Sequence, residues 1–381
     1  MVRRLQIQAD IGNDGTPSKK RRKLEKLGEN ASTAFASQHA MEAFQPLHAE
    51  LWWHDGNVII AADQMSFKLH ASVLERHSSV FSELLNDAQA RHNPPELFEG
   101  CRVLRVDDKG VHLAELFRVL YDGGGCVLEA SNIIYRAHSA SCRGFFDWRK
   151  PIEFTDLRRI TLVAIKYKVQ HIIDEAVVRL EYLFPTSFDP DRLDSDFYIG
   201  VHEGHPVHCP EAANAIGVAA LARAIDHENP PPFIVMALYR CTSFDAKTLL
   251  DLQSYDEQLA SVDLSSCLGA ITSLETAVRK VRGPVADALD KPMCSSKVCH
   301  SGMKSLVCEW IRSGMFSGPY PLSSCERGFR RHAEKHPNKK VCKSCEEGLI
   351  KAINERRREL FADLGKIFNI STWPAGIQAK V

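Results

Sequence analysis

A chain of 381 residues has room for two or three domains, each with its own buried core. Its 44% hydrophobic and 25% charged residues are ordinary for a globular protein, and 48 basic side chains cancel 48 acidic ones. That balance excludes a global field aimed at nucleic acid or membrane, so local charge carries the information.

No apolar run approaches the ~20 residues that span a bilayer. The opening "MVRRLQIQAD" lacks the apolar core of a signal peptide. The expected location is intracellular, nuclear or cytoplasmic, where the 12 cysteines stay thiols or bind metal. Residues 1–40 have no sustained hydrophobic period and are expected to be mostly disordered. Within them Lys19, Lys20, Arg21, Arg22 and Lys23 form a run of positive charge. Such a run fits the acidic groove of a nuclear import receptor; the alternative is a solvated run with no reader.

"MEAFQPLHAELWW" follows, offering Phe44, Leu47, Leu51, Trp52 and Trp53. Two adjacent tryptophans are costly to expose, so they pack on their own domain or across a dimer, and the dimer is the favoured expectation. Asp55-Gly56-Asn57 is a turn, and Val58 to Ala62 is an apolar, partly β-branched run that predicts a buried strand. Asp63-Gln64 breaks it. Met65, Phe67 and Leu69 then alternate with Ser66 and Lys68 as a second, half-buried strand of a hairpin.

"HASVLERHSSVFSELL" places Val73, Leu74, His77, Val80, Phe81, Leu84 and Leu85 at three- and four-residue spacings, which predicts two short helices. Ser78 or Ser79 is the expected cap of the second. Residues 101–108 alternate as a third strand. Residues 110–124 read as a helix closed by Gly123. Two more amphipathic helices are expected between Asp156 and Phe184, separated near Val169 to His171.

This order resembles the BTB/POZ domain over about residues 47–185. The pattern is carried by Val58, Phe67, His70, Leu74, Ser78, Phe81, Leu116, Leu120, Tyr121, Gly123, Ala164 and Tyr167. The wording is most similar to the large BTB group of mushroom-forming fungi. Two features depart from the pattern: Asn57 stands where most members have Asp, and residues 125–155 form an insertion.

The resemblance implies an α+β fold, a small sheet with flanking helices. It also implies a non-enzymatic adaptor or regulator that presents surfaces to a second copy, a cullin ubiquitin-ligase scaffold or a co-repressor. In cullin-binding members an apolar-x-acidic element lies in the loop before the third strand; Leu97 and Glu99 match it here. His70 implies a packing and hydrogen-bonding residue, and a lone histidine with no carboxylate or nucleophile beside it in sequence is usually structural.

Residues 190–290 return to helical patterns, loosely like the BACK extension of larger BTB proteins. Ile216, Ala219, Ala220, Arg223 and Ala224 describe a small-residue face for close helix packing. Pro230 to Pro232 break that helix, and "FIVMALYRC" resumes.

Residues 291–370 form a cysteine-rich helical end. Cys294-x4-Cys299 and Cys342-x2-Cys345 are pairs at zinc-ligand spacing, each able to chelate from a tight loop opening a helix. Four thiolates would close a tetrahedral structural zinc site. Cys308, Cys325, His300, His332 and His336 are reserve ligands. The alternative is that these cysteines are small buried apolar residues.

Residues 327–358 carry 11 Lys or Arg against four acidic groups. The expected reading is a solvated face of an amphipathic helix, with Ile353, Leu360, Phe361, Leu364 and Ile367 inward. The alternative function is a nuclear DNA-associated transcription regulator, motivated by "KKRRK" and this basic end; groove-fitting or stacking elements are not evident in the sequence.

Overall fold

The computed structural model describes residues 49–86, 96–122, 151–190, 193, 207–208, 214–252, 258–290, 294–312, 321–322, 326–338 and 340–373. The basic run at Lys19 to Lys23, most of the 125–155 insertion, Phe44, Leu47, Gly123 and Cys325 lie outside them. The chain is mixed α+β and divides into two units. Among the described residues one holds 49–71 and 96–114, the other 72–86 and 115–373.

The first unit is built on a four-stranded sheet. Strand β1 (Val58–Ala62) pairs antiparallel with β2 (Met65–Leu69), and Asp63 turns the hairpin with a φ of 41°. A second hairpin joins β3 (Leu97–Phe98) to β4 (Cys101–Val106) through Glu99 and Gly100, both at positive φ. Two successive left-handed residues make the turn whose twist matches the flanking strands. Strand β4 runs parallel to β1, with Val58 opposite Arg102, so the order is β2-β1-β4-β3.

Every residue of β1 is buried, which accounts for its unbroken apolar sequence. Ile59, Ala61, Cys101 and Val103 cluster on the sheet, with Trp52 and Phe98 packed over them. The two rings meet edge to face at 6.5 Å. Gly110 sits so close to Met65 that an added Cβ would lie 2.4 Å from the Met65 Cβ. Asn57 Oδ1 accepts the Ala71 N–H at 2.8 Å, capping helix α1 (Ala71–His77); an amide oxygen serves this role as well as a carboxylate does.

In the second unit, α2 (Ser79–Asn86) begins at Ser78, whose Oγ accepts the Phe81 N–H at 3.0 Å and donates to the Tyr167 carbonyl oxygen. Phe81 stacks on the Tyr167 ring with centroids 4.4 Å apart. Helix α3 (Gly110–Asp122) contributes Phe117 beside Phe81. Helices α4 (Phe154–Lys166) and α5 (Gln170–Leu183) are separated by Lys168 at a φ of 52°. Two short parallel strands, β5 (Ile152–Glu153) and β6 (Val207–His208), pair beside them.

Helices α6 (Asn214–Ile225), α7 (Ile234–Cys241) and α8 (Ala246–Leu252) lead to the long α9 (Ser261–Asp290). The expected packing face of α6 needs correction: Ala220 and Arg223 are only partly buried and Ala224 is exposed, while Ala215, Val218, Leu221 and Ala222 join Ile216 and Ala219 inside. Arg223 instead holds Asp263 of α9 with two hydrogen bonds of 2.9 and 2.7 Å, and Asp263 is itself 1% exposed.

Helix α9 runs through Pro284, where a break is the usual outcome. Val278, Val281, Val285 and Ala288 keep a buried stripe on both sides of it, so packing outweighs one lost backbone hydrogen bond.

Helices α10 (Lys297–Arg312), α11 (Glu326–Lys335) and α12 (Lys343–Phe368) complete the unit, with α12 packed along α9. Asn369 at a φ of 58° ends α12. The tail then folds back so that Trp373 Nε1 donates to the Phe361 carbonyl at 2.9 Å. Among the described residues no helix is long and apolar enough to cross a membrane.

Candidate metal centre

The four cysteines singled out by spacing come together. Cys294 precedes α10 and Cys299 lies in its first turn, where the Cys299 N–H meets Ser296 Oγ at 3.3 Å. Cys342 is the residue before α12 and Cys345 lies in that helix's first turn. Each pair thus sits at a helix start, where free N–H groups favour negative sulfur.

All four Sγ atoms lie within 4.8 Å of one another, and those of Cys294 and Cys342 are 3.8 Å apart. A Zn–S bond of about 2.3 Å sets tetrahedral sulfurs about 3.8 Å apart, so the quartet fits that ion. The Cys342 N–H also donates to Cys299 Sγ at 3.2 Å, tying one pair to the other.

Cys299 and Cys345 are each 3% exposed and belong to the main core, while Cys294 and Cys342 are partly buried against it. Backbone N–H donation at Cys345 and neighbouring thiols bring the Cys342 thiol down to about 7. Burial, with crowding by the other thiols, pushes Cys345 well above the ordinary value, and burial raises Cys299. The Cys342 sulfur is therefore ready to ionise, while those of Cys299 and Cys345 need a cation beside them to do so. Four sulfur ligands would leave no open coordination position, the pattern of structural rather than catalytic zinc.

Of the reserve ligands, Cys308 is exposed on α10. His300 adjoins Cys299, with its Nδ1 buried and lacking a hydrogen-bond partner among the described residues. His332 and His336 gather around Glu309 of α10, a carboxylate that sequence spacing does not single out.

The remaining candidates fall in the first unit or among the buried residues of the second. His70 joins β2 to α1 and meets Asp55 with 3.3 Å between Nε2 and Oδ1; the carboxylate missing from its sequence surroundings comes from the preceding turn. Backbone donation, then the His70 contact, lowers the Asp55 pKa. Val58, Phe67, Leu74, Phe81, Leu120 and Tyr167 are all buried, and Tyr121 partly so.

The Leu97–Glu99 segment is a hairpin rather than an open loop. Leu97 is 61% exposed, whereas Glu99 reaches the nearly buried Lys68 at 3.1 Å. No family model matches the chain, and no curated protein matches it.

Proposed function

We propose that this chain is a non-enzymatic interaction scaffold of the BTB type whose carboxy-terminal helices are clamped by structural zinc. The observation that carries it is the placement of β1 between antiparallel β2 and parallel β4. A parallel neighbour requires a crossover, and here the connection between β2 and β4 includes α1 and α2. That is the element order on which the resemblance rests, and its signature side chains serve packing.

The four-cysteine quartet supports the zinc. The basic end gives less support to DNA binding, because four of its 11 cationic side chains are already paired or buried. Arg356 pairs with Glu359, Lys335 with Glu309 and Lys343 with Glu347, while Arg357 is fully buried.

The scaffold reading is tested on the purified full chain, by light scattering and by binding to a purified cullin amino-terminal region. Self-association or cullin capture supports it. A protein that stays monomeric at about 50 µM and captures no cullin sinks both surfaces named here.

A further inference from the structure

Helix α11 projects two histidines toward α10. His332 Nδ1 lies 2.8 Å from Glu309 Oε2, and His336 Nε2 lies 3.8 Å from the same oxygen. The His336 N–H bonds to the His332 carbonyl at 2.9 Å, so the last turn of α11 extends to carry it, and both rings sit on one side with centroids 4.8 Å apart. Nitrogen and oxygen donor atoms of all three residues fall within 4.8 Å of one another.

We propose that Glu309, His332 and His336 form a second, exchangeable site for a divalent transition metal such as zinc, separate from the four cysteines. Two imidazoles and one carboxylate are the donor types such ions take, with bonds of about 2.0–2.2 Å. Three protein ligands leave a coordination position for water. The site is reachable, because the His336 side chain is 41% exposed and that of Glu309 20%. It differs in this from the closed sulfur quartet.

Binding would be modest, for reasons visible in the same residues. Lys335 Nζ holds the other Glu309 oxygen at 2.8 Å, which orients the carboxylate for one-oxygen ligation but adds a positive charge nearby. His332 Nε2 is buried without a hydrogen-bond partner among the described residues, so no acceptor braces the ring from behind as second-sphere groups usually do. The ion takes the place of the hydrogen between His332 Nδ1 and Glu309 Oε2: from an imidazolium that proton leaves to solvent, and from the neutral ring it moves to Nε2. Loading then joins α10 to α11, which is a means of stiffening the basic helix when metal is present.

The test is calorimetric titration with Zn²⁺ of the full chain as purified, with any zinc held by the four cysteines left in place, compared with His336→Ala and Glu309→Gln. His336 is half exposed and the glutamine keeps the shape of Glu309, so both variants should fold, with circular dichroism as the check. Wild type is expected to show one binding event that is at least tenfold weaker, or lost, in each variant. Because the difference between proteins is read, the result does not depend on whether the cysteines also hold zinc. Superimposable titrations for the three proteins overturn the site and leave an ion-paired clamp between two helices.

Discussion

Ser78 Oγ donates to the carbonyl oxygen of Tyr167 at 2.5 Å, linking positions 89 residues apart in the chain. Ser78 Oγ also accepts the Phe81 N–H, so one hydroxyl caps α2 and satisfies a buried carbonyl. Ser78 is 1% exposed, and no water can substitute without a cavity. Ser78→Ala is expected to lose the cap and strand the carbonyl, at about 2–4 kcal/mol in chemical denaturation. Ser78→Thr, which keeps the hydroxyl, should recover part of it. Equal midpoints for wild type and Ser78→Ala would falsify this role.

The sulfur quartet makes a metal expectation. Purified protein should carry about one equivalent of zinc by elemental analysis, and chelation should lower its melting temperature. Cys342→Ala should lose that zinc and melt lower. Cys308→Ala, at an exposed position on the same helix as Cys299, should do neither. Metal-free protein with unchanged melting would leave the cysteines as packed thiols only.

A pH effect follows from His77 and His171, whose rings lie 5.1 Å apart. Burial holds both imidazoles below the ordinary 6.5, and in His171 the charge of His77 adds to the effect. A folded-state pKa below the unfolded one means that the unfolded chain takes up protons first as pH falls. Their contribution to stability is therefore present above about pH 6.5 and is lost as pH falls through the window down to the folded values. Melting temperature should drop between about pH 7.5 and about 5.5, and less steeply in His77→Gln/His171→Gln. Parallel pH profiles for the two proteins would remove the pair as the cause.

Strands β1, β2 and β4 and the first helices were legible because each is an apolar run or an alternation with a turn at its edge. Val58 to Ala62 is bounded by Asp55-Gly56-Asn57 and Asp63-Gln64, and the observed β1 has those limits. The gathering of the four cysteines was legible for a similar reason, since a pair split between a loop and a first helical turn is a local pattern. Strand β3 was not, because two residues carry no period. Its existence depends on the positive φ of Glu99 and Gly100.

Buried charge was also hidden. Arg357 looks like part of a solvated basic run, yet its guanidinium donates to Leu322 O at 2.8 Å and to Asn354 Oδ1 at 2.6 Å inside the core. Glu309 could not be paired with His332 from sequence, because the contact depends on how α10 and α11 meet.

Two helical glycines should respond oppositely to alanine. An added Cβ at Gly365 would lie 2.6 Å from the Trp373 Cβ and 3.0 Å from the Ile370 carbonyl oxygen, so Gly365→Ala must displace the folded-back tail. Overpacking of this kind costs about 1–3 kcal/mol. Gly269 on α9 has nothing within 4 Å of such an atom, and Gly269→Ala should stabilise by about 0.5–1 kcal/mol through helix propensity. Equilibrium denaturation of both variants gives the two signs directly, and a stabilised Gly365→Ala would contradict the packing of Trp373.

Leu97 and Glu99 allow the proposed partner surface to be tested apart from the fold. Glu99 is half exposed but bound to Lys68, whose side chain is 11% exposed. Glu99→Lys would set a second ammonium beside a nearly buried one, so it should lower stability along with any cullin capture. That variant alone cannot report on the partner surface. Leu97 is the cleaner probe. It is 61% exposed, and its cross-strand partner is Arg102. In Leu97→Asp the new carboxylate faces that guanidinium, which offsets the weaker strand propensity and keeps the stability change within about 0.5 kcal/mol. A hydrophobic anchor lost from an interface costs about 2 kcal/mol or more, so capture of a purified cullin amino-terminal region should fall at least tenfold. Wild type and Leu97→Asp binding equally would remove Leu97 as the contact. Wild type that captures no cullin would remove the ligase role and leave self-association as the surface to pursue.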